Sequence, residues 1–546
     1  MREVAYDLDR KLEQQRIYNV ALDSIATRLG RRPVLYGPDN RPLKPSANYS
    51  YSRRAAQREG TMTNWIPKRL TNPRTEAMER ERIVERSIKL VQDNPYAAGI
   101  KQTFAVTVVG AGLKPNPTLD FEALGISKEE ARAIQSQQRA IYMKWFPCAD
   151  AGGRMNFGGI QYLIESNTVQ YGEHVVLPLM IDDPGRPYAL ACQVINPQRL
   201  RTPSDKYADG NIRDGVELDK YGAPIAYWIK KADYSYPQKE RKGLQYRPDT
   251  SDNFLRIPAK KGHRWQVMHR FIQDDAEKVR GVPFFAPALK FFNDLDDLLS
   301  AELVSSIVTA AFSLFIDEGA GDPYSTAESL SSFYGSQNKP DGSTENARYQ
   351  ELIPGAIMYG KGKPQPIGAN RPGTTFDPFT KIIMKAIASA LNIPYVILFK
   401  DVEGTNFAGF RSAMLDAWRT FMFRRTWIGQ TTCSPIWTML MEEAYLRGDL
   451  KLSDFYSNMT AFTNTTWQGA PKGDIEPVKA AQADILLIKN NLKSRQKSSG
   501  ERGYDWRTDV ADELEEEQQI MKEKGLTETE IDNETVARWA KEENDE

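Results

Sequence analysis

The spacing of apolar residues predicts a helix and then a strand after the first 70 or so residues of the chain. Residues 74–102 carry apolar side chains at helical intervals. Asn94-Pro95 falls inside this stretch, and a break is expected there because the residue before a proline is biased away from helical backbone. The run from Val106 to Gly110 is rich in β-branched residues and is interpreted as a strand.

The next region mixes helices and strands. Residues 127–146 form a predicted helix, with Ser127 as its N-cap and Glu130 three residues later, as in a capping box. A further helix is predicted over 157–171. Short apolar runs bounded by turn residues then predict strands at 173–181, 189–196, 224–230 and 264–272. The fold class is therefore predicted as α+β, with several domains.

Residues 278–448 are the most informative segment. A helix is predicted over 283–317, on the order of 50 Å long, and its apolar run Leu303 to Ile316 is interpreted as buried. The elements predicted after it are a Gly/Pro/Ser-rich insert 318–375 with a strand pair at Ile357–Tyr359 and Gln365–Ile367, a helix 376–391, a loop 399–408, a long helix ending at Gly448 and kinked at Ser434-Pro435, and a polar linker 460–476. A single subunit does not need a helix–insert–helix of this length for its own core, whereas a ring around a hole does. The segment therefore points to an assembly.

Composition limits the class of protein. The 546 residues should divide into about three or four domains, and the 40% hydrophobic content is typical of a globular chain. Lys+Arg and Asp+Glu are equal at 72 each, which argues against a basic nucleic-acid coat. Residues 1–90 nevertheless carry 19 basic and 11 acidic side chains, and residues 511–546 carry 4 basic and 14 acidic ones. That acidic end, and an arm over 1–75 with a short helix near 8–28, are predicted to be loosely ordered.

Cysteines and the first residues bear on the compartment. Cys148, Cys192 and Cys433 are odd in number and far apart, which argues against a disulfide framework and for a reducing compartment. Met1 to Asp9 are charged and lack the apolar core of a signal peptide. The longest near-apolar run is too short to span a membrane. A cytoplasmic chain without a membrane role is expected.

Sequence signatures of enzymes are absent. The chain has no GxxxxGK[ST] phosphate loop, no GxGxxG after a predicted strand, no HExxH and no GxSxG. His174, His263 and His269 have no Cys or Asp cluster beside them, so they are interpreted as ordinary strand-edge histidines, with a metal site as the weaker alternative. We therefore predict no enzymatic activity, no cofactor and no metal.

Two other groups of residues have structural interpretations. Asp294, Asp296 and Asp297 lie at spacings that do not converge on one helix face, which favours a solvated acidic face over a paired-carboxylate site. Cys148 has no histidine near it in the sequence and is interpreted as a buried or partly buried thiol.

A series of short motifs resembles the lambda-type portal proteins of tailed phages. Each motif is weak alone, but the series runs in family order over much of the chain. The motifs are Asn94-Pro95-Tyr96-Ala97, Val108-Val109-Gly110, Phe157-Gly158-Gly159-Ile160-Gln161, Tyr171-Gly172-Glu173, Val194-Ile195-Asn196-Pro197, Gly215-Val216-Glu217, Arg280-Gly281-Val282-Pro283, Ile353-Pro354-Gly355, Leu391-Asn392-Ile393-Pro394 and Thr405-Asn406-Phe407.

One motif departs from the family pattern. Where the family usually has Asn-Tyr-Ser-Ser-x-Arg, this chain has Asn406-Phe407-Ala408-Gly409-Phe410-Arg411. The two hydroxyl-bearing positions are missing. Hydrogen bonds that they make near the family's tunnel loop cannot be carried over to this chain.

The resemblance implies a ring, typically of twelve subunits, at one capsid vertex of the virion, assembled in the host cytoplasm. Double-stranded DNA would be pumped in through it by the terminase and would leave through it into the tail. Implied partners are further copies of the chain, DNA bound without sequence specificity, the large terminase, the major capsid or scaffold protein and a head–tail adaptor, with no membrane.

The resemblance also implies a division of the chain into named parts. These are an N-terminal arm 1–60, an α/β wing 61–282, a first stem helix 283–317, a small β-containing clip 318–375, a second stem helix 376–393, a tunnel loop and long wing helix 394–470 with the loop at 399–410, and a helical crown 471–546 with a flexible acidic C-terminus.

A channel that lets DNA slide should carry few positive charges, because every neutralised phosphate adds affinity. Lys381 and Lys385 lie four residues apart on one face of the second stem helix, opposite Ile382, Ile383, Ala386 and Ile387. They form either a solvated face or a sparse positive ring facing DNA. The candidate channel residues are these two lysines with Lys400, Asp401, Glu403, Asn406 and Arg411.

Two other classes remain open from the sequence. A terminase subunit would need the phosphate loop that is missing. A non-portal ring or head–tail adaptor would be expected to be much shorter and to lack the helix–insert–helix. The portal interpretation is favoured over both.

Overall fold

A computed structural model describes residues 73–232, 249–311, 314–317, 357–360 and 376–524, apart from positions 453, 474, 475 and 505, together with two short strands near the N-terminus. The chain divides into two compact units, Met1–Thr71 and Asn72–Glu546. In the first unit, β1 (Leu35–Tyr36) pairs antiparallel with β2 (Pro42–Leu43). The short helix predicted near 8–28 lies outside the described residues.

The helices of the first half include the three predicted regions, and the short helix Phe121–Leu124 was not predicted. They are α1 (Pro73–Asp93), α2 (Pro95–Val109), α3 (Phe121–Leu124), α4 (Lys128–Trp145) and α5 (Phe157–Tyr171). The break at Asn94-Pro95 is confirmed, because Asn94 caps α2 and its Oδ1 accepts the Tyr96 amide at 3.0 Å. The capping box of Ser127 and Glu130 is also confirmed.

The strand predicted at 106–110 is wrong. These residues end helix α2, and Val108 and Val109 are fully buried there. β-propensity mostly reflects how a side chain packs on its neighbours. Here the branched side chains pack against other helices, so burial in the core decides the conformation.

Two antiparallel sheets lie in the middle of the chain. The first has the order β12 (Met268–Phe271), β4 (Glu173–Met180), β5 (Leu190–Ile195). The second has the order β6 (Ile212–Arg213), β7 (Val216–Leu218), β8 (Pro224–Lys230), β9 (Phe254–Pro258). The strands predicted at 173–181, 189–196 and 224–230 are confirmed.

Three two-stranded sheets complete the described strands. They pair β3 (Lys114–Pro117) with β15 (Thr465–Gln468), β10 (Lys260–Lys261) with β11 (Arg264–Trp265), and β13 (Leu314–Asp317) with β14 (Ile357–Gly360). The predicted strand 264–272 is divided into β11 and β12, because the amides of Gln266 and Val267 both donate to the Ala259 carbonyl.

The helices of the second half are α6 (Leu289–Ala311), α7 (Phe376–Ala390), α8 (Tyr395–Leu398), α9 (Phe407–Ile428), α10 (Ser434–Arg447), α11 (Met459–Thr463), α12 (Pro477–Lys489), α13 (Arg495–Glu501) and α14 (Asp512–Lys524). The helix predicted over 376–391 is confirmed. The predicted polar linker 460–476 is wrong in part, since it contains most of α11 and all of β15. The acidic end is helical as far as Lys524, and 525–546 lie outside the described residues.

The helix predicted over 283–317 is shorter than expected. Helix α6 has 23 residues, which corresponds to roughly 35 Å, and Leu314–Asp317 form a strand parallel to Ile357–Gly360. The pairing predicted between 357–359 and 365–367 involves residues outside the described ones. The rest of the predicted clip, 318–356 and 361–375, also lies outside them.

The expectation that the apolar run Leu303 to Ile316 is buried is wrong at its described start, 303–307, within the single chain. Leu303 is 63% exposed, Val304 59% and Ile307 45%. Helix α6 carries more apolar surface than its own chain covers. The pattern of apolar residues does not show which of these side chains a second chain would cover.

The main core is helical and aromatic. Phe104 of α2, Trp145 of α4, Phe157 of α5 and Trp437 of α10 are almost completely buried together. The Trp145 indole donates to the Leu190 carbonyl at 2.7 Å, which ties β5 to this core. A second core forms between the two larger sheets.

The long helix predicted to end at Gly448 is confirmed. Helices α9 and α10 are joined by one π-helical segment, Gly429–Cys433, and Gly448 closes α10 with φ 81°. Pro435 has no N–H, so the Thr431 carbonyl lacks the donor that a regular helix would provide four residues on. Arg270 Nε of β12 donates to that carbonyl at 3.0 Å instead. A side chain from a distant strand therefore satisfies the carbonyl that Pro435 cannot bond.

We expect Arg270→Met to lower the free energy of unfolding by about 1–3 kcal/mol, because the Thr431 carbonyl loses its donor. In a Pro435→Ala background the same change should cost less, since the substituted residue has a backbone amide that can donate to that carbonyl. A double-mutant cycle by urea unfolding measures this coupling. If Arg270→Met costs the same free energy with Pro435 as with the alanine substitution, Arg270 does not replace the helical donor of the Thr431 carbonyl.

Candidate functional site

The candidate channel residues lie on helix α7, on the loop between α8 and α9, and in the first turns of α9. Asn392, with φ 50°, turns the chain out of α7. Its carbonyl accepts the Thr420 hydroxyl at 3.2 Å, which holds this turn on α9. Lys400 and Gly404 have φ of 57° and 69°, so the loop contains two left-handed positions.

The loop is shorter than the sequence indicates. Asn406 caps α9, its Oδ1 accepting the Gly409 amide at 2.7 Å. Gly409 therefore lies in the first helical turn of α9 and not in the tunnel loop predicted at 399–410. Asn406 has a capping role that already explains its side chain.

Tyr395 organises the loop. Its hydroxyl donates to the Asp401 carboxylate, whose Oδ1 also accepts the Glu403 amide at 3.1 Å. The Tyr395 hydrogen bond lowers the pKa of Asp401. Burial and then the Asp401 carboxylate raise the pKa of Tyr395. At neutral pH, Asp401 is ionised and held against its own chain.

The two lysines of α7 lie beside this loop. Lys381 Nζ is 3.0 Å from Asp377, whose hydrogen bond raises the pKa of Lys381, with Asp401 and Glu403 adding to the effect. The Lys385 ammonium lies 6.0 Å from the Tyr395 ring centroid. The fold thus brings Lys381, Lys385, Asp401 and Glu403 together.

The prediction that the face opposite the lysines is apolar and covered holds only in part. Ile387 is fully buried, but Ile382 is 62% exposed. Helix α7 is covered on one side within a single chain, so part of its apolar surface remains open.

Charges around the loop are balanced. Residues 377–403 carry three lysines, Lys381, Lys385 and Lys400, and three acids, Asp377, Asp401 and Glu403. Equal numbers of positive and negative charges attract phosphates little. Affinity for DNA grows with the number of phosphates that positive side chains neutralise. Arg411 is paired elsewhere, with Glu476 at 3.5 Å. The structure groups five of the seven candidate residues on one segment and assigns Asn406 and Arg411 to other contacts.

Sequence reasoning missed two residues of this segment. Asp377 lies four residues before Lys381, a spacing that could have revealed the pair. The sequence around Tyr395 contains no pattern that indicates its hydrogen bond to Asp401.

The histidines are not strand-edge residues as a group. His174 is fully buried between the hydroxyls of Thr168 and Thr432, each at 2.9 Å, and burial lowers its pKa to about 3. His269 is buried and bonds to Glu173 at 2.9 Å. Among the described residues there is no group of three His, Cys, Asp or Glu side chains placed to hold a metal ion. Asp294, Asp296 and Asp297 are exposed, as predicted, and the three cysteines are free thiols.

Two of the sequence motifs meet around Glu173. The Arg280 guanidinium donates to both carboxylate oxygens, and the Gly281 amide donates to one of them at 3.0 Å. Burial alone would raise the pKa of Glu173, but Arg280 and His269 hold it well below its usual range. Arg280 also donates to the carbonyls of Pro197 and Leu200.

Glycine is required where these motifs touch. Gly172 has φ 85°, and a Cβ there would lie 2.2 Å from the Val282 carbonyl. A Cβ on Gly281 would lie 2.2 Å from the Gly172 carbonyl oxygen. The motifs Tyr171-Gly172-Glu173 and Arg280-Gly281-Val282 therefore form one close-packed joint. This joint holds strand β4 against the segment that leads into helix α6.

The sequence profile described as phage portal protein, lambda family, matches residues 58–425. The chain belongs to this family. It is similar to the portal protein of Escherichia phage N15, with 23% identity over 89% of this chain and 92% of that protein. It is also similar to portal protein B of Escherichia phage lambda, with 22% identity and the same coverages. A probable portal protein of Halomonas phage phiHAP-1 is 24% identical over 68% of this chain and 67% of that protein.

Solved structures with a similar chain include the neck of a native GTA particle computed with C12 symmetry, at 11% identity and a TM-score of 0.41, covering 77% of this chain and 93% of that one. Another is the virion of a native gene transfer agent particle, at 12% identity and a TM-score of 0.37. Family membership sets aside the terminase and adaptor alternatives. None of the helices described for this portal protein is long and apolar enough to cross a membrane.

Proposed function

We propose that this portal protein forms a closed ring of twelve subunits at one capsid vertex of the virion. Double-stranded DNA passes through the ring during packaging by the terminase, and it leaves through the ring into the tail. Membership of the lambda portal family is the observation that carries this proposal.

The open apolar surface of α6 and α7 supports ring formation. Leu303, Val304 and Ile307 on α6, with Phe379 and Ile382 on α7, are between 45% and 63% exposed although the two helices pack together. Contiguous exposed apolar side chains mark interaction surfaces. In a ring, the same pair of surfaces repeats around an axis and buries them.

The division into functional parts is proposed on the same basis. The wing would span 61–282, the stem α6 and α7, the clip 318–375 and the crown 471–546. The clip would meet the terminase and later the head–tail adaptor. The loop 399–406 would project into the channel, where its balanced charges let DNA slide.

Ring formation is tested by negative-stain microscopy of the purified chain, with rotational symmetry counted in class averages. We expect closed rings. Leu303→Glu with Ile307→Glu should reduce the ring fraction by about tenfold or more, because a buried unpaired charge is costly at an interface. Met143→Glu, at a position 61% exposed on α4, is the matched control and should leave rings intact. A wild-type chain that stays monomeric at every concentration and salt would refute the proposal.

We expect no ATPase and no nuclease activity from the purified ring. The chain lacks a phosphate loop, and the described residues lack a metal cluster. Assays with magnesium, and with ATP or linear DNA, measure this directly. Hydrolysis that copurifies with the ring and survives removal of terminase would contradict the portal assignment as stated.

A further inference from the structure

The last turn of helix α12 in the proposed crown has apolar side chains on every side. Ile485, Leu486, Leu487 and Ile488 are consecutive, and four consecutive residues span more than a full turn of helix. A helix that is apolar all round is normally buried. Yet Ile485 is 51% exposed, Leu486 60%, and Leu492 just beyond the helix 75%.

Helix α14 is also exposed to solvent within its own chain. Its described side chains, 513–520, 522 and 523, are all exposed, including Leu514 and Ile520 at 43% each. A helix of 13 residues is marginal in water without packing. It follows that α14 is not seated on α12 or α13 of its own chain.

The two surfaces are complementary in charge. Residues 477–502, which contain α12 and α13, carry six basic and two acidic side chains, a net of +4. Residues 512–524, which form α14, carry six acidic and two basic side chains, a net of −4. Each surface also exposes large apolar side chains, so apolar contact and charge attraction would act together.

We infer that α14 of one subunit docks on the α12–α13 surface of the adjacent subunit, which links the crown around the ring. The inference rests on the ring proposed above. The contact is heterologous, because the two surfaces differ, and a heterologous contact repeated around an axis closes a ring. The occupant is a second copy of this chain.

Cross-linking tests which chain provides α14. Ala483→Cys on α12 and Gln518→Cys on α14 place thiols on exposed positions that change neither the charges nor the large apolar side chains. With a bismaleimide, we expect a ladder of covalent oligomers on a denaturing gel only when both cysteines are present. Each single-cysteine variant controls for the native thiols, of which Cys192 and Cys433 are buried.

Charge reversal tests the electrostatic part. Lys489→Glu with Lys497→Glu should lower the yield of cross-linked oligomers by about tenfold. Adding Glu515→Lys and Glu516→Lys should restore most of it. Lys144→Glu with Lys220→Glu, an equal charge change at exposed positions, should leave the yield unchanged.

Microscopy and cross-linking together distinguish failure of the crown contact from failure of ring formation. Rings by microscopy together with a ladder support both proposals. Rings without a ladder, or a cross-link confined to single chains, overturn the crown contact and leave the ring standing. A ladder that stops at dimers in a chain that forms no rings refutes the ring and keeps the contact between subunits.

Discussion

Replacing Glu173 by glutamine should lower the apparent free energy of unfolding by about 3–5 kcal/mol. The change preserves shape but removes the buried counter-charge of Arg280, and both side chains are at most 3% exposed. The remaining acid near Arg280 is Asp214, at 3.4 Å and with a more exposed side chain. It also weakens the joint formed by Gly172 and Gly281. Urea unfolding of the unassembled chain, followed by circular dichroism, measures the loss.

The effect should depend on pH in a defined direction. Because the folded pKa of Glu173 is depressed, its contribution is fully present above the unfolded pKa, about 4.3 for glutamate, and is lost as the pH falls through the lower folded pKa. The difference between wild type and Glu173→Gln should thus be constant from neutral pH to about pH 5 and shrink below it.

Glu217→Gln is the matched control for Glu173→Gln. Glu217 pairs with Arg256 at 2.8 Å, but Arg256 is 47% exposed, so the loss should stay within about 1 kcal/mol. A cost for Glu173→Gln no larger than that of the control would show that the buried network does not stabilise the fold.

Removing residues 401–404 should leave rings intact but reduce the DNA packaged or retained several-fold. The deletion shortens the segment proposed to reach into the channel, while Asn406 and the first turn of α9 remain. Gly404 and Lys400 have left-handed backbone, so the wild-type loop has a shape that a shorter one cannot reproduce. Nuclease-protected DNA per particle is the measurement.

Two variants of unchanged length serve as controls for the loop deletion. Lys400→Gln with Glu403→Gln keeps the loop length and removes one charge of each sign, so it should package normally if length and shape matter most. Tyr395→Phe releases Asp401 without shortening the loop. If the deletion abolishes rings, or leaves packaged DNA unchanged, the assignment of this segment to the channel is wrong.

Local signals in the sequence were sufficient for most helices. The cap at Asn94-Pro95, the capping box of Ser127 and Glu130, and the stop at Gly448 each depend on residues within one helical turn. Such contacts join residues that are close in the sequence, so their spacing is enough to predict them. The ordered motifs also indicated the family before any coordinates.

Pairings across long stretches of sequence could not be predicted. Glu173 and Arg280 are 107 residues apart, and Arg270 and Thr431 are 161 apart. Val108 and Val109 carry a strand-like local pattern, yet burial between helices makes them helical. At the candidate channel segment, the pair Lys381 and Asp377 has a spacing that the sequence shows, whereas the Tyr395 bond to Asp401 depends on how α8 and its loop fold.

The sequence by itself determined the helices, their caps, the helix–insert–helix order and the family, because those features depend on neighbours along the chain. Tertiary structure decided where α6 ends, which strand pairs with Ile357–Gly360, and which apolar side chains stay exposed. These outcomes depend on which surfaces meet in space. A hydrophobic pattern records that a side chain avoids water, but it does not record whether its own chain or a neighbouring subunit covers it.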